Sequence, residues 1–179
     1  MEKMRDLRAL LKHNTVMLQS TEKQIVEALP AMIARATNPT LKQAFQQHLT
    51  ESKNHLRLIE QVSDMLGADD DSVKKYSGLL AGLMGGVKCK GTEGLIEEGE
   101  KLMGENLEDE VMDAALIGAA QKIEHFEIAS YGTARTYAEQ LGLTQVSEIL
   151  QQILDEEYRT DDILTSLAVT SVNLQAENA

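Results

Sequence analysis

The chain has 179 residues, of which 42% are hydrophobic and 26% charged, a size and composition typical of one folded domain and not of a disordered chain. Its 29 acidic residues outnumber 17 basic ones and give a net charge of −12, so binding to a nucleic-acid backbone is not expected. No apolar run approaches the roughly 18 residues that span a bilayer, and the single cysteine, Cys89, excludes an internal disulfide and a cysteine-only metal cluster.

Glycine and proline positions divide the chain into two helical hairpins joined by a long crossover. Nine of the twelve glycines lie in one stretch, from Gly67 to Gly104, and none precedes it. The glycine-free part is interrupted at Pro39, because proline disfavours helical geometry in the residue before it. This pattern predicts a first hairpin with helices over 4–36 and 40–66.

Residues 67–106 form the predicted crossover. An unstructured loop of this length is uncommon inside a compact domain, so we expect short helices in it, around Val73–Leu83 and after Thr92 as an N-cap. Two hairpins with short turns and one long crossover are typical of the ferritin-like four-helix bundle, since every join in a simple up-and-down bundle is short.

The remaining residues predict a second hairpin. Its helices are expected over 107–141 and 145–170, with Gly142 as the C-cap of the first and Thr144 as the N-cap of the second. Strand signals are absent, because aromatic residues make up 3% of the chain and β-branched residues do not alternate. The sequence therefore predicts an all-α protein with one ferritin-like domain. Its parts are a hairpin at 4–66, the crossover at 67–106 and a hairpin at 107–170, within residues 1–179.

Each predicted helix carries an apolar stripe that is interrupted near its middle by residues able to bind a metal ion. Glu22 interrupts the stripe of the first helix. In the second helix, His48, Glu51 and His55 occupy three consecutive stripe positions. The stripes of the third and fourth helices are interrupted by the acidic residues Glu124, Glu127, Glu156 and Glu157.

Carboxylates of the two helices in each hairpin lie at similar heights along the bundle. Glu22 and Glu51 lie at comparable distances from the first turn, and Glu124 and Glu157 at comparable distances from the second, so the four are expected to meet at mid-bundle. Ionised carboxylates in a core need shared protons, cationic partners or bound cations. No Lys or Arg occupies the central stripe positions, and carboxylates with imidazoles suit iron or manganese better than structural zinc. The alternative is that these residues lie on solvated helix edges.

Several segments resemble the YciE/YciF-type ferritin-like proteins, which are bacterial stress-associated proteins of unassigned activity. The similarity runs in order through nearly the whole chain, and the segment in the third helix is its most specific part. The segments are Glu22–Pro30, His48–Glu51, Cys89–Gly91 with Gly94–Ile96, Gln121–Gly132, and Glu156–Glu157 with Asp161. The resemblance implies a four-helix ferritin-like bundle, usually dimeric, with a site of the dinuclear-metal type.

The chain departs from the broader ferritin and rubrerythrin pattern, in which Glu-x-x-His stands on the second and fourth helices. Asn54 follows Glu51 at the third position, and Thr160 follows Glu157. Two histidines flank Glu51 instead, and an aspartate lies one turn beyond Glu157. The predicted metal ligands are Glu22, His48, Glu51, His55, Glu124, Glu127, Glu157 and Asp161.

Two further residues of the third helix lie near these ligands. His125 points about 100° away from Glu124 around the helix. We therefore expect it to lie at the edge of the stripe or to bond a metal ligand, rather than to bind a metal ion itself. Tyr131 lies two turns beyond Glu124 on the same face, and its hydroxyl is expected to bond either a metal-bound carboxylate or another core partner.

Three functions are compatible with the sequence. The first is oxygen or peroxide chemistry at a dinuclear iron site, with manganese as the other candidate metal. The second is a non-catalytic stress or assembly protein that keeps a vestigial or partly occupied site, which the incomplete Glu-x-x-His pattern favours. The third, iron storage, needs a closed shell of subunits, and the expected dimer argues against it.

We expect a homodimer, from the family resemblance and from the apolar, glycine-rich segment Gly78–Gly85, which would otherwise expose apolar surface. Neither nucleic acid nor a membrane is an expected partner, and the sequence indicates no electron donor. The N-terminal residues are charged at close intervals and lack the apolar core of a secretory signal, so a cytoplasmic location is expected.

Overall fold

The computed structural model describes residues 6–67 and 87–179, and these residues form helices joined by turns, without strands. The predicted all-α fold class is confirmed. Helix α1 (Leu7–Arg35) and helix α2 (Pro39–Leu66) form the first hairpin. The side chain of Asn38 caps α2 by accepting hydrogen bonds from two backbone N–H groups of its first turn.

Helix α3 (Lys90–Met103) belongs to the region predicted as the crossover. It begins two residues before Thr92, the predicted N-cap, so that assignment is wrong. The Thr92 hydroxyl lies instead 2.8 Å from the hydroxyl of Thr21 in α1, and this contact joins the two helices through a buried hydrogen bond. The helix predicted around Val73–Leu83 lies outside the described residues.

Helix α4 (Asp109–Gln140) and helix α5 (Thr144–Leu167) form the second hairpin. Gly142 adopts a left-handed conformation with φ of 68°, which suits a residue without a Cβ atom, and it ends α4 as predicted. Thr144 is already inside α5, and Leu143 precedes that helix without a capping side-chain bond, so the predicted Thr144 cap is wrong.

A π-helical turn (Ala168–Val172) and the short helix α6 (Asn173–Ala176) follow α5. Among the long helices, α1 packs on α2 and α4 on α5, while α2 faces α5 and α1 faces α4. Helix α3 lies across α4 and α1, on the opposite side from the α2–α5 contact. In the described parts of the chain, no helix is both long and apolar enough to cross a membrane.

Two apolar clusters fill the bundle and leave a polar layer between them. Leu18 of α1 belongs to the first cluster and Ile25 to the second, so the residue between them, Glu22, faces the polar layer. The largest buried members of the first cluster are Leu11, Leu18, Ile59, Tyr131, Leu150 and Ile153. Those of the second are Leu41, Phe45, Met112, Leu116, Ile117 and Leu164.

Candidate metal centre

Six side chains that can bind metal ions meet in the polar layer, and each is at most 3% exposed. They come from all four long helices, which places them on rigid elements facing one another. The six are Glu22, His48, His55, Glu124, Glu127 and Glu157.

These residues form two adjoining donor groups. Single ligand atoms of Glu22, His55 and Glu157 all lie within 4.8 Å of one another. The same is true of His48, Glu124 and Glu157. Because Glu157 belongs to both groups, its carboxylate stands between two positions that each have three possible ligands. This arrangement suits two metal ions that share one carboxylate.

His55 faces carboxylates on both sides of its ring. Its Nδ1 atom lies 3.0 Å from Glu157 Oε1 and 3.6 Å from Glu22 Oε1, and its Nε2 atom lies 2.9 Å from Glu156 Oε2. Burial alone would lower the pKa of His55, but the hydrogen bonds and charges of Glu157 and Glu22 raise it to about 11. In the metal-free protein His55 is therefore a cation that neutralises part of the cluster.

His48 has the opposite electrostatic character. Burial lowers the pKa of His48, and the nearby charges of Glu157 and Glu51 do not reverse the effect. The ring is therefore neutral at pH 7 and keeps a lone pair for a metal ion. Its Nε2 atom lies 3.4 Å from Glu124 Oε1.

The carboxylates are crowded and desolvated. Burial, reinforced by neighbouring carboxylates, raises the pKa of Glu124 and of Glu127 well above the usual value of 4.5. Burial also raises the pKa of Glu22. At Glu157 burial acts in the same direction, but the hydrogen bond and the charge of His55, together with smaller contributions from His48 and Glu124, outweigh it and the pKa is lowered. Glu157 is thus the most anionic member of the cluster.

The cluster has more acceptors than donors. Among the described residues, no N–H or O–H group donates to either oxygen of Glu127, to Glu22 Oε2 or to Glu124 Oε2, all of them buried. By contrast the buried carboxylate of Asp113 in α4 accepts three hydrogen bonds from Thr37 and Asn38, which form the turn between α1 and α2. Carboxylate oxygens that receive no hydrogen bond, placed beside imidazole nitrogens, form a set of ligands that fits iron or manganese.

Tyr131 bonds one of the predicted ligands. Its hydroxyl donates to Glu22 Oε1 at 2.5 Å, and the side chain is fully buried. Burial raises the pKa of Tyr131 well above 10, so the phenol keeps its proton and acts only as a donor here. Of the two partners that the sequence left open for Tyr131, the structure shows the carboxylate.

Two predicted ligands lie at the edge of the cluster. Glu51 accepts a hydrogen bond from Arg159 at 2.9 Å and is 17% exposed. Asp161 accepts from Gln121 at 2.9 Å and faces the exposed ring of His125, 3.6 Å away. Glu22, Glu124 and Glu157 converge as predicted. The expected fourth carboxylate, Glu51, does not join them, whereas Glu127, which is also a predicted ligand, does.

The position of Glu51 follows from which stripe of α2 faces the core. The sequence prediction places Ala44, Glu51 and Met65 on the buried stripe, together with His48 and His55. In the structure Phe45, Ser52 and Leu66 are buried instead, with the same two histidines, and Leu58 is buried as predicted. These two stripes differ by one residue, and the greater apolar volume of Phe45 over Ala44 is the signal that distinguishes them.

Glu156 is a site residue that the ligand prediction left out. Its side chain is 19% exposed, so it connects the buried ring of His55 with the protein surface. Its other carboxylate oxygen accepts from Gln152 at 3.3 Å. The Glu156–Glu157 pair in the sequence was the available signal, since two adjacent carboxylates on a helix point to different sides.

Known proteins resemble this chain over most of its length. Residues 10–177 match the family described as "Domain of unknown function (DUF892)". Protein YciF of Escherichia coli strain K12 is 47% identical over 160 residues, which are 89% of this chain and 88% of YciF. The chain therefore belongs to the DUF892 family, and the resemblance to YciF-type proteins is confirmed.

Solved structures show the same fold. The crystal structure of the E. coli stress protein YciF matches with a TM-score of 0.80 and 40% identity, over 95% of this chain and 99% of that one. A structure named "YcfI, a putative structural protein from Rhodopseudomonas palustris" matches with a TM-score of 0.77 and 34% identity, over 92% and 96% of the two chains.

Proposed function

We propose that this DUF892 protein binds two iron ions, with manganese as the alternative, between its four long helices and takes part in oxygen or peroxide chemistry during stress. One observation carries the proposal: the two buried donor groups share Glu157, and several of their carboxylate oxygens have no hydrogen-bond donor. A divalent cation in each group would supply the missing positive charge. The stress role rests on the likeness to YciF.

The protein's own residues would have distinct tasks. Glu22 and His55 would hold one metal ion, His48 and Glu124 the other, and Glu157 would bridge them. Bound iron would supply the electrons that reduce the oxidant.

Glu127 has two buried oxygens without donors and would complete the ligand set. Tyr131 orients Glu22 through its hydroxyl. The apolar clusters above and below the layer would keep bulk water away from the ions.

The test begins with protein purified without chelator. Elemental analysis and anaerobic Fe(II) titration are expected to give two metal ions per chain, followed by oxygen consumption when air is admitted. Glu127→Gln should weaken binding, whereas Glu51→Gln should leave it nearly unchanged, because Arg159 and not the cluster holds Glu51. Protein that binds neither iron nor manganese would exclude the proposal. A loss of binding in Glu51→Gln would restore Glu51 as a ligand.

A non-catalytic structural or assembly role is the second candidate. The name of the R. palustris protein favours it. So do two contacts that exist without metal: the His55 cation neutralises charge on Glu157, and the Tyr131 hydroxyl donates a hydrogen bond to Glu22. Stoichiometric metal binding with no oxygen or peroxide consumption would favour this role over catalysis.

We also propose a homodimer in the cytoplasm that binds neither nucleic acid nor membranes, from the family resemblance and the net charge of −12. The apolar segment Gly78–Gly85, which entered the sequence argument for a dimer, lies outside the described residues. Light scattering should give twice the chain mass of 19.7 kDa at micromolar concentration, and a 19.7 kDa species up to near-millimolar concentration would exclude the dimer.

A further inference from the structure

A small apolar cavity reaches the candidate metal centre from the side covered by α3. Its volume is about 10 Å³, and it lies between α1 and α4. Ile25, Leu29 and Ala120 are among the apolar side chains that form its wall, and its polar lining comes from His48 and Glu124 at the inner end. The cavity therefore ends at one of the two donor groups.

A second cavity lies farther out, between α1, α3 and α4. Its volume is about 30 Å³. It shares Ala28, Met32 and Ile123 with the inner cavity, so these three side chains border both spaces. Two of its lining residues, Ala31 and Glu100, are exposed, and the outer cavity opens to the surface beside them.

The lining decides what can pass between the two spaces. A buried water needs roughly 10–15 Å³ and two to four polar partners, and the apolar neck offers no such partners. An ion would lose its hydration there without compensation. A small uncharged, apolar molecule loses little solvation in the same place, and dioxygen is such a molecule.

We propose that the two cavities form the entry path of dioxygen to the group formed by His48, Glu124 and Glu157, with Ala28 and Met32 at its narrowest part beside Ile123. This inference rests on the proposed function, because it names the oxidant for that site. Charged metal ions have a different approach on the α2–α5 side. There the cluster is edged by the partly exposed carboxylates Glu51 and Glu156.

The first test uses metal-free protein and dissolved dioxygen itself as the probe. Dioxygen is paramagnetic, so it speeds the relaxation of nearby methyl protons in an NMR experiment under oxygen pressure. The methyl groups of Met32 and Ile123, each 7% exposed, should relax several-fold faster than those of Leu58 and Leu154, which are each 6% exposed in the other apolar cluster. Equal effects at both sets would overturn the path.

The second test blocks the neck in the iron-loaded protein. Ala28→Phe should slow Fe(II) oxidation by dioxygen roughly tenfold while leaving Fe(II) affinity unchanged. Ala44→Phe is the matched control, since Ala44 is also a half-buried helical alanine and lines neither cavity.

The outcomes separate the two proposals. Equal oxidation rates in the two variants, with normal Fe(II) binding, would overturn the path and leave the proposed function standing. Absence of Fe(II) binding in the unmodified protein would remove the proposed function. If Ala28→Phe does not fold, the methyl relaxation of the unmodified protein still decides whether dioxygen enters here.

Discussion

Glu156 determines which nitrogen of His55 faces the candidate metal ions. Once a metal ion has displaced the Nδ1 proton of His55, the contact of Nε2 with Glu156 keeps the Nδ1 lone pair facing Glu22 and Glu157. Carboxylates that orient a ligating histidine in this way typically change metal affinity by 10- to 100-fold when removed. We expect Glu156→Gln to weaken Fe(II) or Mn(II) binding by about this factor, as measured by competition with a chelator.

The neighbouring carboxylate provides the control for Glu156. Asp155 is exposed on the same helix, and its carboxylate accepts a hydrogen bond from Gln151. Asp155→Asn removes the same charge and should leave the affinity unchanged. Equal affinities in the two variants would show that Glu156 does not position the ring.

The pKa values of the cluster set the pH dependence of the metal-free protein. Glu124 and Glu127 have raised pKa values, so the folded state keeps protons that the unfolded chain releases above about 4.5, and the free energy of unfolding falls as pH rises. His55 acts in the same direction between 6.5 and about 11. His48 has a lowered pKa and opposes this trend only below about 6.5.

Above neutral pH, His55, Glu124 and Glu127 therefore all lower the free energy of unfolding as pH rises. We expect the melting temperature of chelator-treated protein to fall between about pH 7 and pH 9.5. Metal-loaded protein should lose less stability over the same range, because bound cations replace the protons. A melting temperature of the chelated protein that stays level or rises would contradict the assignment of these protons.

At the scale of the elements, two glycines of α3 make different predictions. A Cβ atom on Gly91 would lie 2.7 Å from Cε2 of Phe126, whereas a Cβ atom on Gly94 would meet nothing within 4 Å. Gly94→Ala should stabilise the protein by roughly 0.5–1 kcal/mol through helix propensity. Gly91→Ala should destabilise it by about 1–3 kcal/mol, because α3 or the ring must move.

Denaturant unfolding of the two glycine variants gives the comparison directly, since both substitutions add one methyl group to the same helix. If the two alanine variants are equally stable, close packing of α3 on Phe126 is not what requires glycine at position 91. A difference between them of the predicted sign would show that α3 is held by a specific contact with α4.

The spacing of apolar residues and the positions of proline and glycine are sufficient to predict the long helices. They do not predict which side of a helix faces the core. Pro39 and Gly142 mark the turns of both hairpins, since their backbone restrictions act locally. Spacing alone does not decide between Glu51 and Ser52 as core positions, because each lies about one turn from both His48 and His55, and the partner of Glu51, Arg159, is distant in sequence. Thr92 was misread for the same reason, because its partner Thr21 is distant in sequence.

The whole molecule separates residues that stabilise the fold from residues that carry the proposed chemistry. Both apolar clusters bury large side chains, and their burial favours folding. The layer between them holds carboxylates without donors, an arrangement that costs free energy in the absence of cations. Local conflict of this kind, inside an otherwise consistent fold, is expected at functional sites.

This conflict predicts that Glu124→Gln/Glu127→Gln makes the metal-free protein more stable. Glutamine keeps the shape of each side chain and removes the ionisation that burial opposes, so we expect a gain on the order of 1–3 kcal/mol at pH 7. The same variant should lose the stabilisation by metal, which is about 2.7 kcal/mol at a hundredfold excess over Kd. Glu105→Gln/Glu148→Gln, at two exposed positions, controls for the change in net charge. The measurement is thermal unfolding of the three proteins with chelator and with anaerobic Fe(II). The result that would contradict this prediction has two parts: with chelator the Glu124→Gln/Glu127→Gln variant is no more stable than the control variant, and Fe(II) stabilises both equally. It would show that these carboxylates do not form a metal site.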